Sequence, residues 1–100
     1  MKTVPLRKVT IVAEALLESR LLGDVRDCGA RGFTLTEVRG EGSRGVRASE
    51  WEGRNVRIET LVAPDVADRI LAHVAEVYFP RFAVVAWVED VEVVRGDKYA

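Results

Sequence analysis

The sequence predicts an α+β domain built in the order β-α-β-β-α-β, and three observations predict it. Two stretches carry apolar residues at helical spacing: Leu17, Leu21, Val25 and Cys28 in one, Val66, Ile70, Val74 and Val77 in the other. Four further stretches are dominated by β-branched residues. One hundred residues, 48% hydrophobic and 31% charged, make one compact domain over 1–100, with one core and no room for a second. A right-handed crossover in each βαβ half puts both helices on one face of an antiparallel sheet, the ferredoxin-like split arrangement.

Each element has its own local reason. Residues 6–12, LRKVTIV, place Val9 and Ile11 on one parity of a strand. Glu14 to Cys28 reads as a helix, with Glu14 and Glu18 near the end where the dipole favours negative charge. Gly29 is placed to end it in a left-handed conformation, and Arg31-Gly32 is a turn. Phe33 to Arg39 is a second strand, and Asn55 to Val62 a third whose Val56, Ile58, Thr60 and Val62 share one face while Arg57 and Glu59 share the other. Between them, Glu41 to Arg54 has three glycines, two serines and no apolar period, so the two strands read as a hairpin with an oversized, flexible or functional tip. Pro64 suits a first helical position, with Asp65 and Asp68 behind it, and Pro80 stops that helix near Tyr78 or Phe79. Phe82 to Val94 is the last strand region. Its first half is apolar on both parities, so both faces need cover, and the face away from the helices has no element left to cover it except a partner subunit.

Charge and composition narrow the function classes. Fifteen Lys and Arg against sixteen Asp and Glu give a net charge of −1, without the basic field of a general nucleic-acid binder. The apolar run Ala83–Val88 is far short of a membrane span, and the charges at Lys2, Arg7 and Lys8 break any signal-peptide core. Cys28 is the single cysteine and His73 the single histidine. An internal disulfide and a Cys-rich zinc site are thereby excluded, Cys28 reads as a small buried hydrophobe, and His73 as a surface or helix-packing residue. No nucleophile–base pair is placed by spacing and no catalytic residue is assigned. The cytoplasm is the expected compartment, with membrane association arising only through a partner.

The informative stretch runs from Gly29 through Arg47. Its glycines let main-chain N–H groups approach a ligand, and successive N–H groups form an anion nest. Ser43 adds a neutral donor; Arg44 and Arg47 add permanent charge in the fork geometry that suits phosphate. Trp51, between Glu50 and Glu52, is either packed back on the protein or an anchor for a protein partner. Trp87 reads as core or subunit interface.

The same residues carry a family resemblance. GARGFTLTEVRGEG resembles the PII signalling proteins, whose second strand bears G-x-x-G-x-T-x-x-E-V-x-G-x-G; Gly29, Gly32, Thr34, Glu37, Val38, Gly40 and Gly42 match it. VRIETLVAPDVADRIL and VEDVEVVRG are similar to the family's third strand with second helix and to its last strand, so the likeness covers roughly residues 8–97. Where PII proteins carry a modifiable tyrosine, residues 41–56 have none. Arg44 stands at or near the glutamine that helps them bind 2-oxoglutarate with magnesium. Their T-G-x-x-G-D-G-K phosphate loop is replaced by Tyr78-Phe79-Pro80-Arg81-Phe82. GSRGVR followed by YF-x-x-F resembles the bicarbonate-transporter-associated and carboxysome-associated PII-like proteins.

That resemblance implies a homotrimer with no obligatory cofactor and no metal, taking an adenine nucleotide effector (AMP, ADP, ATP or cyclic AMP) in intersubunit clefts. It implies a target protein such as a bicarbonate transporter or carboxysome component. By position it implies that Thr34 faces the adenine edge, helped by backbone near Gly40 and by the strand Val85–Val88. Gly42 and Ser43 would border the phosphate, Arg44 and Arg47 neutralise it, and Arg95 reach in from a neighbouring subunit. Glu41 replaces a frequent lysine. The C-terminal cysteine pair of some relatives has no counterpart before Ala100, so redox switching is not implied. Two other readings stand beside this one: a nucleotide-independent trimeric interaction module on the same fold, working through Trp51, and a metal-handling trimer of the copper-tolerance type, which would have only His73 and Cys28 to draw on.

Overall fold

A computed structural model describes residues 1–40 and 54–99. The strands are β1 (Thr3–Glu14), β2 (Thr34–Val38), β3 (Asn55–Val62) and β4 (Val85–Val94); the helices are α1 (Glu18–Asp27) and α2 (Pro64–Val77). They form one sheet in the order β2-β3-β1-β4, with every neighbouring pair antiparallel. This is the predicted βαββαβ arrangement.

Register explains which residues become core. Val9, Ile11 and Ala13 of β1 stand opposite Thr60, Ile58 and Val56 of β3, and all six are almost fully buried. They form the face that receives Leu17, Leu21 and Val25 from the first helical stretch and Ala67, Ile70 and Val74 from α2. The alternation in Asn55–Val62 therefore reads directly as inside and outside. Tyr78, just beyond α2, is fully buried.

Three boundaries differ from the sequence expectation. The first strand runs from Thr3 to Glu14, because it keeps pairing with β4 at one end and with Asn55 at the other. Pro5 is tolerated because β3 pairing begins only at Arg7, so Pro5 is laddered on one side alone. The first helix accordingly starts at Glu18 rather than Glu14, after a 3-10 turn over Ala15–Leu17. The last strand starts at Val85 rather than Phe82, since residues 78–84 are held in a hydrogen-bonded turn.

Gly29 ends α1 as expected, at φ 120°. The amide of Ala30 donates to the Val25 carbonyl (3.2 Å) and that of Gly29 to the Arg26 carbonyl (2.9 Å), the paired bonds of a Schellman cap. A Cβ at Gly29 would stand 3.3 Å from both the Val66 Cγ2 and the Arg69 Nη2. Arg69 in turn donates from Nε to the Cys28 carbonyl at 3.1 Å, so the α1 terminus is tied to α2. Gly29→Ala combines a disfavoured φ with a crowded Cβ, and urea unfolding should show a loss of about 1–3 kcal/mol; an unchanged midpoint would refute the cap assignment.

Candidate functional site

Strand β2 is short and lies at the sheet edge, paired only with β3. Its first three residues alternate, and the alternation breaks at the exposed Glu37 and half-buried Val38. Leu35 packs on the core, while Thr34 and Thr36 are exposed on the face away from the helices. Thr34 stands opposite Glu59 in the ladder. Glu59 belongs to a run of opposite charges across that open face: Arg57 Nε lies 3.8 Å from its carboxylate, Lys8 Nζ lies 3.7 Å from it, and the same Lys8 nitrogen is 3.5 Å from Glu89. These pairs are partly solvated and contribute little to stability. They draw the Glu59 carboxylate toward Lys8 on β1, the side of β3 away from Thr34. Sequence reasoning put Glu59 on the outer face but did not connect it with Thr34; the signal needed was the β2–β3 register.

Beyond Val38 the chain passes through Arg39 to Gly40, both exposed. Among the described residues nothing lies within 4 Å of a Cβ built at Gly40, and its φ is not positive. The described part of the fold thus does not require glycine there. Gly42, Ser43, Arg44, Arg47 and Trp51, with most of the predicted 41–54 tip, lie outside the described residues.

Val88 and Arg95 lie on the opposite edge of the sheet. Val88 pairs with the buried Val9, so its side chain belongs to the helix-facing layer and only its backbone is on offer. Arg95 follows the end of β4 with φ 64°, a conformation a non-glycine residue seldom adopts, and is exposed. Two strands separate β2 from β4, which at the usual spacing is about 14 Å. The ends are opposed as well: β4 finishes beside Thr3, whereas β2 finishes beside Asn55, itself paired with Glu14. The described residues among those predicted are therefore far apart on one protomer, Thr34 and Gly40 at the β2 edge and Val88 and Arg95 on β4. They come together only if the β2 edge of one copy meets the β4 edge of another. Trp87 and Val85, on the open face of β4, are 42% and 51% exposed, in keeping with the expectation that this chain does not cover that face itself.

The turn before β4 offers little to an anion. The amides of Tyr78 and Phe79 donate to the Val74 carbonyl, those of Arg81 and Phe82 to the Tyr78 carbonyl, and that of Val84 to the Phe82 carbonyl. Pro80 has no N–H. Successive free amides, which a phosphate nest needs, are not present in this turn.

A second polar cluster lies between the helices, where sequence reasoning had singled out only His73. His73 Nε2 is 3.0 Å from Asp24 Oδ2, and the Tyr78 hydroxyl donates to the same oxygen. The Arg20 guanidinium sits 4.9 Å above the Tyr78 ring, and the His73 ring meets it edge-on. His73 is thus a helix-packing residue, as expected. Burial, then the Asp24 hydrogen bond and charge, push the Tyr78 hydroxyl well above its ordinary value. Cys28 is half-buried rather than fully buried; burial first, then Asp24, raises its thiol. The cluster ties α1 to the end of α2 and faces away from the open side of the sheet.

Comparison with known proteins agrees with this architecture. The sequence model of the family described as nitrogen regulatory protein P-II matches residues 6–98. A PII-like signalling protein of Thermus thermophilus is 58% identical and superposes with a TM-score of 0.88, each chain covered in full. CPII of Thiomonas intermedia K12 bound to ADP, AMP and acetate is 22% identical, with 99% of this chain and 98% of that one covered at a TM-score of 0.84. The same protein bound to ADP and bicarbonate is 23% identical, with the same coverage and a TM-score of 0.85.

The Tyr78 environment predicts an alkaline signature. The folded state holds this phenol protonated where the unfolded chain would ionise it. Its contribution is therefore complete below about pH 10 and fades as pH rises above that value. Tyr78→Phe cannot ionise, so its stability should fall less steeply than wild type as pH rises above about 10. Urea midpoints across that range check this, and parallel slopes would contradict it.

Proposed function

The chain belongs to the P-II family, and from that membership and the separation of its described candidate residues we propose that it is a regulator that binds an adenine nucleotide between subunits. The P-II family consists of regulatory, non-enzymatic signalling proteins. The observation that carries the reading is the separation of the described ligand residues, Thr34 and Gly40 from Val88 and Arg95, between the β2 and β4 edges of one sheet. A β2-to-β4 contact is heterologous, and such contacts close into rings when the rotation permits. A homotrimer, typical of the family, supplies that ring and repeats the cleft at each junction.

In this arrangement Thr34 meets the adenine edge, with Glu59 as its ladder partner on the same face of the sheet. The Gly40 backbone stays open for close approach. Gly42 and Ser43 border the phosphate, and Arg44 and Arg47 neutralise it. The neighbouring subunit brings the Val88 backbone and Arg95. The CPII structures holding ADP, AMP and bicarbonate support an adenylate of this kind. Because no two successive amides of the turn at 78–84 are free, AMP and ADP fit better than ATP; cyclic AMP completes the panel. The nucleotide organises residues 41–54, and the organised segment with Trp51 presents or withdraws a surface for a cytoplasmic or membrane-bound target in inorganic-carbon uptake or carboxysome function. Ordering a segment on binding costs conformational entropy, so affinity is moderate, and a target that prefers the ordered segment is coupled to the nucleotide by the same free energy in both directions. Among the described residues no helix is long and apolar enough to cross a membrane.

Melting with an adenylate panel tests this. ADP or AMP at a hundredfold over its dissociation constant should add about 2.7 kcal/mol of stability, and ATP should add no more than ADP. Gly40→Ala should leave the ligand-free protein within about 0.5 kcal/mol of wild type while weakening ADP binding several-fold in calorimetry. A trimer that gives no heat with any adenylate would overturn the nucleotide reading and leave a nucleotide-independent interaction module.

A further inference from the structure

We propose that Thr60 is a positioning residue for the ligand edge at Thr34, a role that rests on the nucleotide reading above. Thr60 is 2% exposed, and its place on the helix-facing side of β3 would ordinarily be filled by an aliphatic residue like its neighbours Val56, Ile58 and Val62. Its hydroxyl instead donates to the carbonyl of Gly32 at 2.6 Å, across 28 residues of sequence. A buried hydroxyl is retained without cost only when it is hydrogen-bonded, and this bond satisfies both groups.

The location of that bond gives it its effect. The β2–β3 ladder ends at the Thr34–Glu59 pair. One step further along β3, the side chain of Thr60 replaces the missing rung and holds the chain two residues before Thr34. Strand β2 is an edge strand of five residues with a partner on one side only, so its start has few other restraints. Among the described residues these are the Phe33 side chain against the core with the Arg26 guanidinium 5.0 Å from its ring, the Ala30 amide bonded to the Val25 carbonyl, and a long 3.4 Å bond from Arg31 Nη1 to the Lys98 carbonyl. Gly32 itself is not wedged: no described atom lies within 4 Å of a Cβ there. The Thr60 hydroxyl thus fixes the height at which β2 begins, and with it where the exposed Thr34 hydroxyl stands relative to Glu59.

Two variants of the full chain and two measurements test the role. Thr60→Val keeps the branched shape and removes the donor; Thr60→Ser keeps the donor and removes a methyl. ADP calorimetry should find Thr60→Val weaker by about tenfold, one hydrogen bond's worth of positioning, and Thr60→Ser close to wild type even if it melts lower. Hydrogen exchange of the ligand-free trimer should show faster exchange at residues 33–36 in Thr60→Val and unchanged protection along β1. If Thr60→Val binds ADP like wild type, or Thr60→Ser loses affinity as Thr60→Val does, the proposal is overturned. If the wild-type chain takes no adenylate, it is the nucleotide reading that fails, and the exchange profiles alone then decide whether Thr60 positions β2: unchanged exchange at 33–36 refutes it.

Discussion

The double pairing of β1 governs the rest of the molecule. Eight of its residues ladder with β3 and ten with β4, and these ranges overlap from Arg7 to Val12. A one-residue slip on either side would turn Val9, Ile11 and Ala13 outward and bring Lys8 and Thr10 against the helices. That penalty fixes the register of both flanking strands. The same pairing makes β1 longer than its apolar core demands and delays α1 to Glu18, because each added rung satisfies backbone groups that a helix start would leave open.

With β1 and β3 central, β2 and β4 must be the edges, and an edge is where unpaired backbone and exposed side chains are available. The two edges differ in character. The β2 edge is short, polar on its open side and continuous with the glycine-bearing stretch; the β4 edge is longer and carries Trp87 and Val85 outward. Unlike edges favour a head-to-tail meeting of copies over a two-fold one, since a two-fold contact would have to match each edge with itself. The intersubunit cleft proposed above calls for such a head-to-tail meeting.

Much of this was legible in the sequence because it depends on local pattern. The alternation in Asn55–Val62, the stripe through Ile70 and Val74, Pro64 and Gly29 each state a period or a backbone conformation that needs no partner to be read. The features that were not legible depend on register and on distance in sequence. Whether the first helix begins at Glu14 or Glu18 is settled by Asn55, forty-one residues away. Glu59 becomes a neighbour of Thr34, and Asp24 of Tyr78, only once strands and helices are paired. Thr60 appeared in the sequence as one more β-former on an inward parity; its hydroxyl acquires a purpose only when Gly32 is brought within 2.6 Å.

The placement of Gly40 bears on how such a regulator transmits its signal. A ligand can shift a conformational equilibrium only by the difference in its affinity for the two states. Contacts confined to the Thr34 end of β2 would bind without informing anything, because the ladder and the Thr60–Gly32 bond hold that end. Contacts that reach past Val38 touch the chain where the ladder with β3 has ended, so they can differ between conformations of the chain beyond that rung. Binding energy at the adenine end and discrimination at the phosphate end are thereby separated along one short strand. For the proposed nucleotide regulator, the number and position of phosphates would then decide which conformation is favoured, while the base would decide only that an adenylate is held.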